Sequence, residues 1–222
     1  MARVRSAGYD DQRELILAQA AALFARQGYT ATSMNEVAAA CGISKPTLYH
    51  YVRDKHELLL RVAEAHIARL EALVADVAAT ALPPRERLAA LITRFVMAYA
   101  DAQHEHRVLT EDVKFLDGEA RERVLGGERR VVAAFAQAVR ALRPELGDAA
   151  LATPLTMLLF GMINWMFTWL KPDGAHSHAA MAPVVVDLFL GGLAAVQPPP
   201  EAAARQRAES RRSTMTKKET LP

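Results

Sequence analysis

Four side chains able to bond a nucleic acid fall within six residues: Lys45, Thr47, Tyr49 and His50. Lys45 can donate to guanine acceptors or to phosphate. Thr47 can hydrogen-bond to a base or touch a thymine methyl, a contact the Pro46 ring can also make. Tyr49 and His50 suit phosphate or base edges, although both lie only partly off the face that Leu48 and Tyr51 bury. Tyr51 itself reads as core. Thr30, Ser33 and Lys55 stand near the openings of two neighbouring helices, where side chains and backbone amides together can hold a phosphate.

Other chemistry has weaker footing. Four histidines pair as His104-x-His106 and His176-x-His178, with Asp101, Glu105 and Asp112 near the first pair. Such clusters can bind zinc or nickel. Two ligands at i and i+2 face different sides of a helix, so each pair needs a loop to converge. No Ser-His-Asp order, glycine-rich phosphate loop or pair of carboxylates at usable spacing emerges, so an enzyme is not expected, nor is a cofactor. Cys41 is the only cysteine. It excludes an internal disulfide and a multi-cysteine metal site, and it suits packing as a small buried residue.

The elements that must position these groups are helices. Alternating apolar and polar runs are absent, and alanine, leucine, glutamate and arginine dominate. An opening helix over about Asp11–Gln27 puts Ile16, Ala20, Leu23 and Phe24 on one face, and Gly28 follows its last turn. Ser33 and Glu36 form a capping box for a short second helix that ends near Ala40. Gly42 makes a turn, Ser44 caps a third helix, and Pro46 sits in its first turn, where a missing N–H costs nothing. Two short helices joined this way are a helix-turn-helix, with Val37, Cys41, Ile43, Leu48 and Tyr51 at the positions where crossing helices need apolar contacts. The N-terminal end of the second helix of such a unit enters the major groove. Asp54 caps a fourth helix over about Lys55–Ala79. Further helices are expected at about Arg85–Ala102, His104–Leu116, Gly118–Leu142, Ala149–Leu170 and His178–Val196.

The run GYTATSMNEVAAACGISKPTLYHYVRDKHELL resembles the DNA-binding domain of the TetR family of transcriptional regulators. The likeness covers about Asp11 to Leu60; Gly28, Gly42, Ser44, Leu48, Tyr49 and Lys55 stand where that pattern has its usual residues. The resemblance implies an all-α protein, with a three-helix DNA-binding head bearing a helix-turn-helix and a helical body for ligand binding and dimerisation. It implies a homodimer built on the last two body helices, which usually represses and leaves its double-stranded DNA operator when a small-molecule effector binds. Two of these points have separate support. One helix-turn-helix reads few base pairs, so a dimer on a palindrome is the common route to specificity. The stretch from Ala149 to Leu170 has no charged residue and needs cover on both sides, which a partner's copy can supply in a four-helix bundle, with Gly161, Gly191 and Gly192 permitting close approach.

The stretch from Ala149 to Leu170 also meets the crude length for a membrane span, about 20 residues. Pro154, Gly161, Asn164 and the lack of a flanking basic cluster favour a buried helix instead, so no membrane is expected. The run Asn164–Trp169 with Lys171-Pro172-Asp173-Gly174 resembles a branch of the family that responds to acyl-CoA thioesters. Met97, Tyr99, Phe115, Met157, Phe160 and Trp165 are candidate walls of an acyl pocket and Asn164 its candidate polar contact, though core or interface roles suit each of them as well. Arg94, Arg107, Lys114, Arg121 and Arg123 are basic groups available to CoA phosphates.

Net charge is +1 over residues 1–60, −2 over 61–196 and +3 over 197–222. The resulting division is a DNA-binding domain over 1–56, a ligand-binding and dimerisation domain over 57–196, and a disordered basic tail over 197–222. No secretion signal is apparent at the N-terminus, so the cytoplasm is the expected location. The functional expectation is a repressor released from a palindromic operator by a small apolar or acyl-CoA ligand. The alternative is a metal-responsive regulator using the region of His104 and His106.

Overall fold

Local polar contacts fix the start of every short helix near the N-terminus. The computed structural model describes residues 7–171 and 174–198, so most of the expected tail lies outside the described residues. In α2 (Met34–Ala40) the Ser33 hydroxyl accepts from the Glu36 amide at 3.3 Å, and the Glu36 carboxylate accepts from the Ser33 amide at 2.7 Å. In α3 (Lys45–Tyr49) the Ser44 hydroxyl accepts from the Thr47 amide at 3.2 Å. In α4 (Lys55–Ala78) the Asp54 carboxylate accepts from the Glu57 amide at 2.7 Å. Gly28 and Gly42 take φ of 87° and 65°, the left-handed region where a β-carbon is strained. These elements close on α1 (Ala7–Gln27), which begins four residues before the expected start. Ile16, Ala20, Phe24, Val37, Leu48 and Leu58 are buried between them, and so is Cys41.

The body is built on α4, which packs against α1, α5 (Pro84–Asp101), α6 (Gln103–Glu111) and α7 (Gly118–Leu142). Where α4 crosses α7, a β-carbon on Gly127 would fall 2.2 Å from Cγ2 of Ile67, so only glycine allows this approach. Phe95, Phe135 and Phe160 form an aromatic centre, with Phe95 and Phe135 edge-to-face at 4.8 Å and Phe135 and Phe160 at 5.0 Å. A 3₁₀ turn, Val113–Phe115, follows α6, so the expected helix over His104–Leu116 ends at Glu111 and tightens.

The expected helix over Ala149–Leu170 is broken. After α8 (Pro144–Asp148), Ala150 takes a left-handed φ of 57° and starts a new element, α9 (Ala152–Ile163). At Asn164 and Trp165 the helix stops again before the single turn α10 (Met166–Trp169), where the Thr168 hydroxyl donates to the Trp165 carbonyl at 2.7 Å. Threonine side chains compete with helical backbone bonding in this way. The 12 residues of α9 extend about 18 Å, well short of the ~30 Å hydrocarbon layer of a membrane. One described helix, α11 (His178–Ala195), is long and apolar enough by composition to cross a membrane. Its Ala182, Val185, Phe189 and Leu193 face the body, and the Arg143 guanidinium holds its last carbonyls, Leu193 and Val196. The opposite side of α11 exposes Val184 and Leu188, and neighbouring α9 exposes Met157 and Leu158.

Candidate nucleic-acid interface and ligand cavity

The short third helix presents its N-terminal end outward because Leu48, fully buried, and Val52 anchor the other side. Lys45, Pro46 and His50 are exposed, Tyr49 is 44% exposed and Thr47 is half-buried. Among the described residues no ion pair engages Lys45. The Thr47 hydroxyl lies 2.8 Å from that of Ser44, which steers it along the helix opening. Tyr51 turns inward and stacks on Tyr9 at 4.7 Å.

The second helix and the fourth contribute differently from expectation. Thr30 is exposed. The Ser33 hydroxyl donates to the Glu36 carboxylate at 2.7 Å and so is engaged within the capping box. Hydrogen bonds from the Ser33 hydroxyl and amide, and from Gln27, hold the Glu36 carboxyl below its ordinary range. The Lys55 ammonium, expected at a phosphate, instead donates to the carbonyls of Tyr29, Thr30 and Thr32 at 2.9, 3.2 and 2.8 Å. An ammonium has three protons, and these carbonyls take all of them. It also lies 4.6 Å from the centre of the Tyr29 ring. Lys55 is thus a clamp on the loop before α2. Burial pushes the Cys41 thiol up, in keeping with packing.

A cavity of about 380 Å³ lies in the body among α4, α5, α6, the 3₁₀ turn, α7 and α9. Ile67 and Leu70 of α4, Leu109 of α6, Val131 and Val132 of α7, and Met157 and Phe160 of α9 form apolar walls. Tyr99, His106, Thr110, Glu128 and Asn164 supply polar groups, and Lys114 and Arg121 stand at its exposed edge. His106 is 3% exposed and stacks on the Tyr99 ring at 3.6 Å. Burial pushes its pKa down to about 4, against a smaller opposing pull from the Asn164 backbone, and no hydrogen bond of acceptable geometry reaches either ring nitrogen. Its neighbour His66, 5.6 Å away, is pushed down to about 3 by burial and then by the charges of His106 and Arg69. Burial raises the Glu128 carboxyl, against the opposing charge of Arg129, and, more strongly, the Tyr99 phenol.

Four of the seven expected pocket residues, Tyr99, Met157, Phe160 and Asn164, line this cavity. The other three lie elsewhere. Met97 is on α5 two residues from Tyr99, a spacing that turns it to another face of the helix. Phe115 leaves the cavity to stack on Tyr29 at 5.2 Å. Trp165 is 56% exposed at the break after α9. Of the basic groups, Arg107 pairs with Glu111 at 3.0 Å and Arg123 with Glu64 at 2.9 Å, while Arg94 is exposed on α5. The sequence reading missed Thr110 and Glu128, and it weighed His106 only as a metal ligand. A signal for Glu128 was present: Arg121, Leu125, Glu128 and Val132 recur at helical spacing, so a carboxylate stands within an apolar stripe. At the residues of the metal alternative, His104 is exposed while His106 is buried against Tyr99. Among the described residues no three histidine, cysteine, aspartate or glutamate side chains gather into a metal-binding group.

Residues 16–62 match the family model of bacterial regulatory proteins of the tetR family, and residues 81–193 match that of the tetracyclin repressor-like C-terminal domain. The chain belongs to the TetR family of transcriptional regulators. A TetR-family transcriptional regulator from Bordetella parapertussis 12822 has the same fold, with a TM-score of 0.78 and 35% identity, covering 86% of this chain and all of that one. The HTH-type transcriptional repressor KstR2 of Rhodococcus jostii is 26% identical over 195 residues, 85% of this chain and 94% of its own length. The HTH-type transcriptional activator FasR of Mycolicibacterium smegmatis is 32% identical over 103 residues, and the match spans about half of FasR (47%). AibR, solved in complex with isovaleryl coenzyme A and operator DNA, superposes with a TM-score of 0.70 at 26% identity, covering 80% of this chain and 97% of AibR. The first matched segment ends within α4 and the second begins after it, and α4 itself runs from the head into the cavity wall.

Proposed function

We propose that this TetR-family chain is a ligand-responsive repressor that binds a palindromic DNA operator as a homodimer and leaves it when a small apolar or acyl-CoA ligand fills the body cavity. The observation that carries the reading is the path of α4, which begins beside the Lys55 clamp on the head and supplies Ile67 and Leu70 to the cavity wall. One rigid element thus joins the groove-reading end to the ligand space. Lys45, Pro46, Thr47, Tyr49 and His50 are the groove contacts, with Thr30 and the start of α2 near the backbone. Tyr99, Met157, Phe160 and Asn164 hold the ligand, and Lys114 and Arg121 face its anionic end.

The exposed apolar residues Leu158 and Trp165 on one side and Val184 and Leu188 on the other supply the dimer face, and Gly161, Gly191 and Gly192 have nothing within 4 Å of an added β-carbon. Two heads on one face of a duplex then read half-sites about 34–36 Å apart or a multiple of it. The division into head (1–56), body (57–196) and basic tail (197–222) belongs to the same reading, as does a cytoplasmic location, where a regulator meets its operator. AibR, with its acyl-CoA and operator DNA, supports the ligand class.

A gel shift on the DNA upstream of the chain's own gene tests this. The expected result is a retarded complex that isovaleryl-CoA disperses. Lys45→Ala weakens the complex and lowers the slope of log affinity against log salt by about 1. A complex unchanged by Lys45→Ala and Tyr49→Ala together overturns the reading.

A further inference from the structure

We propose that the body cavity selects an acyl group bearing a hydroxyl, recognised by His106 and Asn164; this rests on the acyl-ligand reading above and names the chemistry of the group bound. The walls are apolar, yet both ring nitrogens of His106 and Oδ1 of Asn164 are buried and make no well-aligned hydrogen bond, although the Asn164 backbone lies close to the ring. Orphaned buried polar groups are costly and uncommon in native proteins. Here they line one empty space, so a ligand can satisfy them all at once.

The kind of ligand follows from the donors and acceptors. A neutral imidazole offers one N–H and one accepting nitrogen, and Asn164 Oδ1 only accepts. The low pKa of His106 keeps the ring neutral near pH 7. The Thr110 hydroxyl is already directed to the His106 carbonyl at 2.9 Å. The unmet need is therefore a group that donates to an acceptor and also accepts from an N–H. A saturated acyl chain does neither, and a thioester carbonyl only accepts. A hydroxyl does both. Stacking on Tyr99 fixes the plane of the imidazole, so the position of that hydroxyl is set by the protein. The volume, near the small end of ~300–1,000 Å³ ligand sites, suits a short acyl group whose anionic remainder passes Lys114 and Arg121.

The test is calorimetric titration of the purified full-length chain with butyryl-CoA, 3-hydroxybutyryl-CoA and 4-hydroxybutyryl-CoA. At least one hydroxylated thioester is expected to bind ten times more tightly than butyryl-CoA, because a site built to bond a hydroxyl disfavours the analogue lacking it. His106→Phe, which keeps a ring against Tyr99, and Asn164→Leu each cut that ratio below threefold; the thermal unfolding transition of each variant reports folding. Equal affinity for all three thioesters overturns this inference and leaves the acyl-ligand reading standing. So does a hydroxyl preference that survives in both variants. Failure of every thioester to bind, while operator DNA is still retarded, overturns the acyl-ligand reading and this inference together.

Discussion

The head and the body of this chain are stabilised by different means. Each of α2, α3 and α4 opens on a side-chain hydrogen bond, from Ser33, Ser44 and Asp54. Among the described residues of the body, α5 to α10 open without one, and only α11 has a cap, from Ser177. Length alone does not set the contrast, since α4 with 24 residues is capped while α8 with five and α10 with four are not. Within the head, helices of seven and five residues cannot nucleate alone and have few side chains to bury, so local polar contacts decide where they start. Helices of 18 to 25 residues carry enough apolar surface for tertiary packing to decide.

The contrast can be broken most directly in the aromatic centre. Phe95→Ala removes a fully buried ring that meets Phe135 and Phe160, and is expected to cost about 3–5 kcal/mol in urea unfolding. A loss below 1 kcal/mol would show that packing does not dominate the body.

Acid has the next largest effect. His66 and His106 are held neutral by burial, with pKa values of about 3 and 4 against about 6.5 unfolded. Between these values the unfolded chain binds more protons than the folded one, so stability is complete above about pH 6.5 and falls as pH drops toward 4. The loss at pH 5 is on the order of 2 kcal/mol per histidine. Unfolding midpoints at pH 7.5 and 5.0 measure it, and His106→Phe should remove roughly half of the difference.

The smallest effect sharpens the comparison from the side of the head. Ser44→Ala deletes the cap of α3 and is expected to cost about 1 kcal/mol, with a matching loss of operator affinity if α3 reads the groove as proposed. Thermal unfolding and a gel shift read the two effects on the same variant.

The same contrast explains what could be read from the amino-acid order. Caps and left-handed glycines act within four residues of one another, so Ser33 with Glu36, Gly42, and Ser44 with Pro46 mark the head's helices almost to the residue. The body's periodicity marks α7 and α11 equally well. It does not show the break at Asn164, which is local and leaves the apolar pattern uninterrupted, or that Phe115 leaves the cavity for Tyr29, which depends on a neighbour distant in sequence. Lys55 was placed in the right location but with the wrong partner: its charge and its position at a helix start suit a phosphate, and only the folded loop shows three carbonyls already there. Tyr99, Met157, Phe160 and Asn164 were legible as large or polar groups in apolar helices, whereas Glu128 required noticing a carboxylate among aliphatic neighbours.

The 3₁₀ turn after α6 touches both regions within three residues. Val113 and Lys114 border the cavity, Phe115 rests on Tyr29, and the Asp117 carboxylate lies 3.4 Å from His56 at the root of α4. Successive Cα atoms are about 3.8 Å apart, so Val113 and Phe115 move together. Under the proposed ligand response, an occupant pressing on Val113 is expected to shift the Phe115 ring against Tyr29, and with it the loop that Lys55 grips.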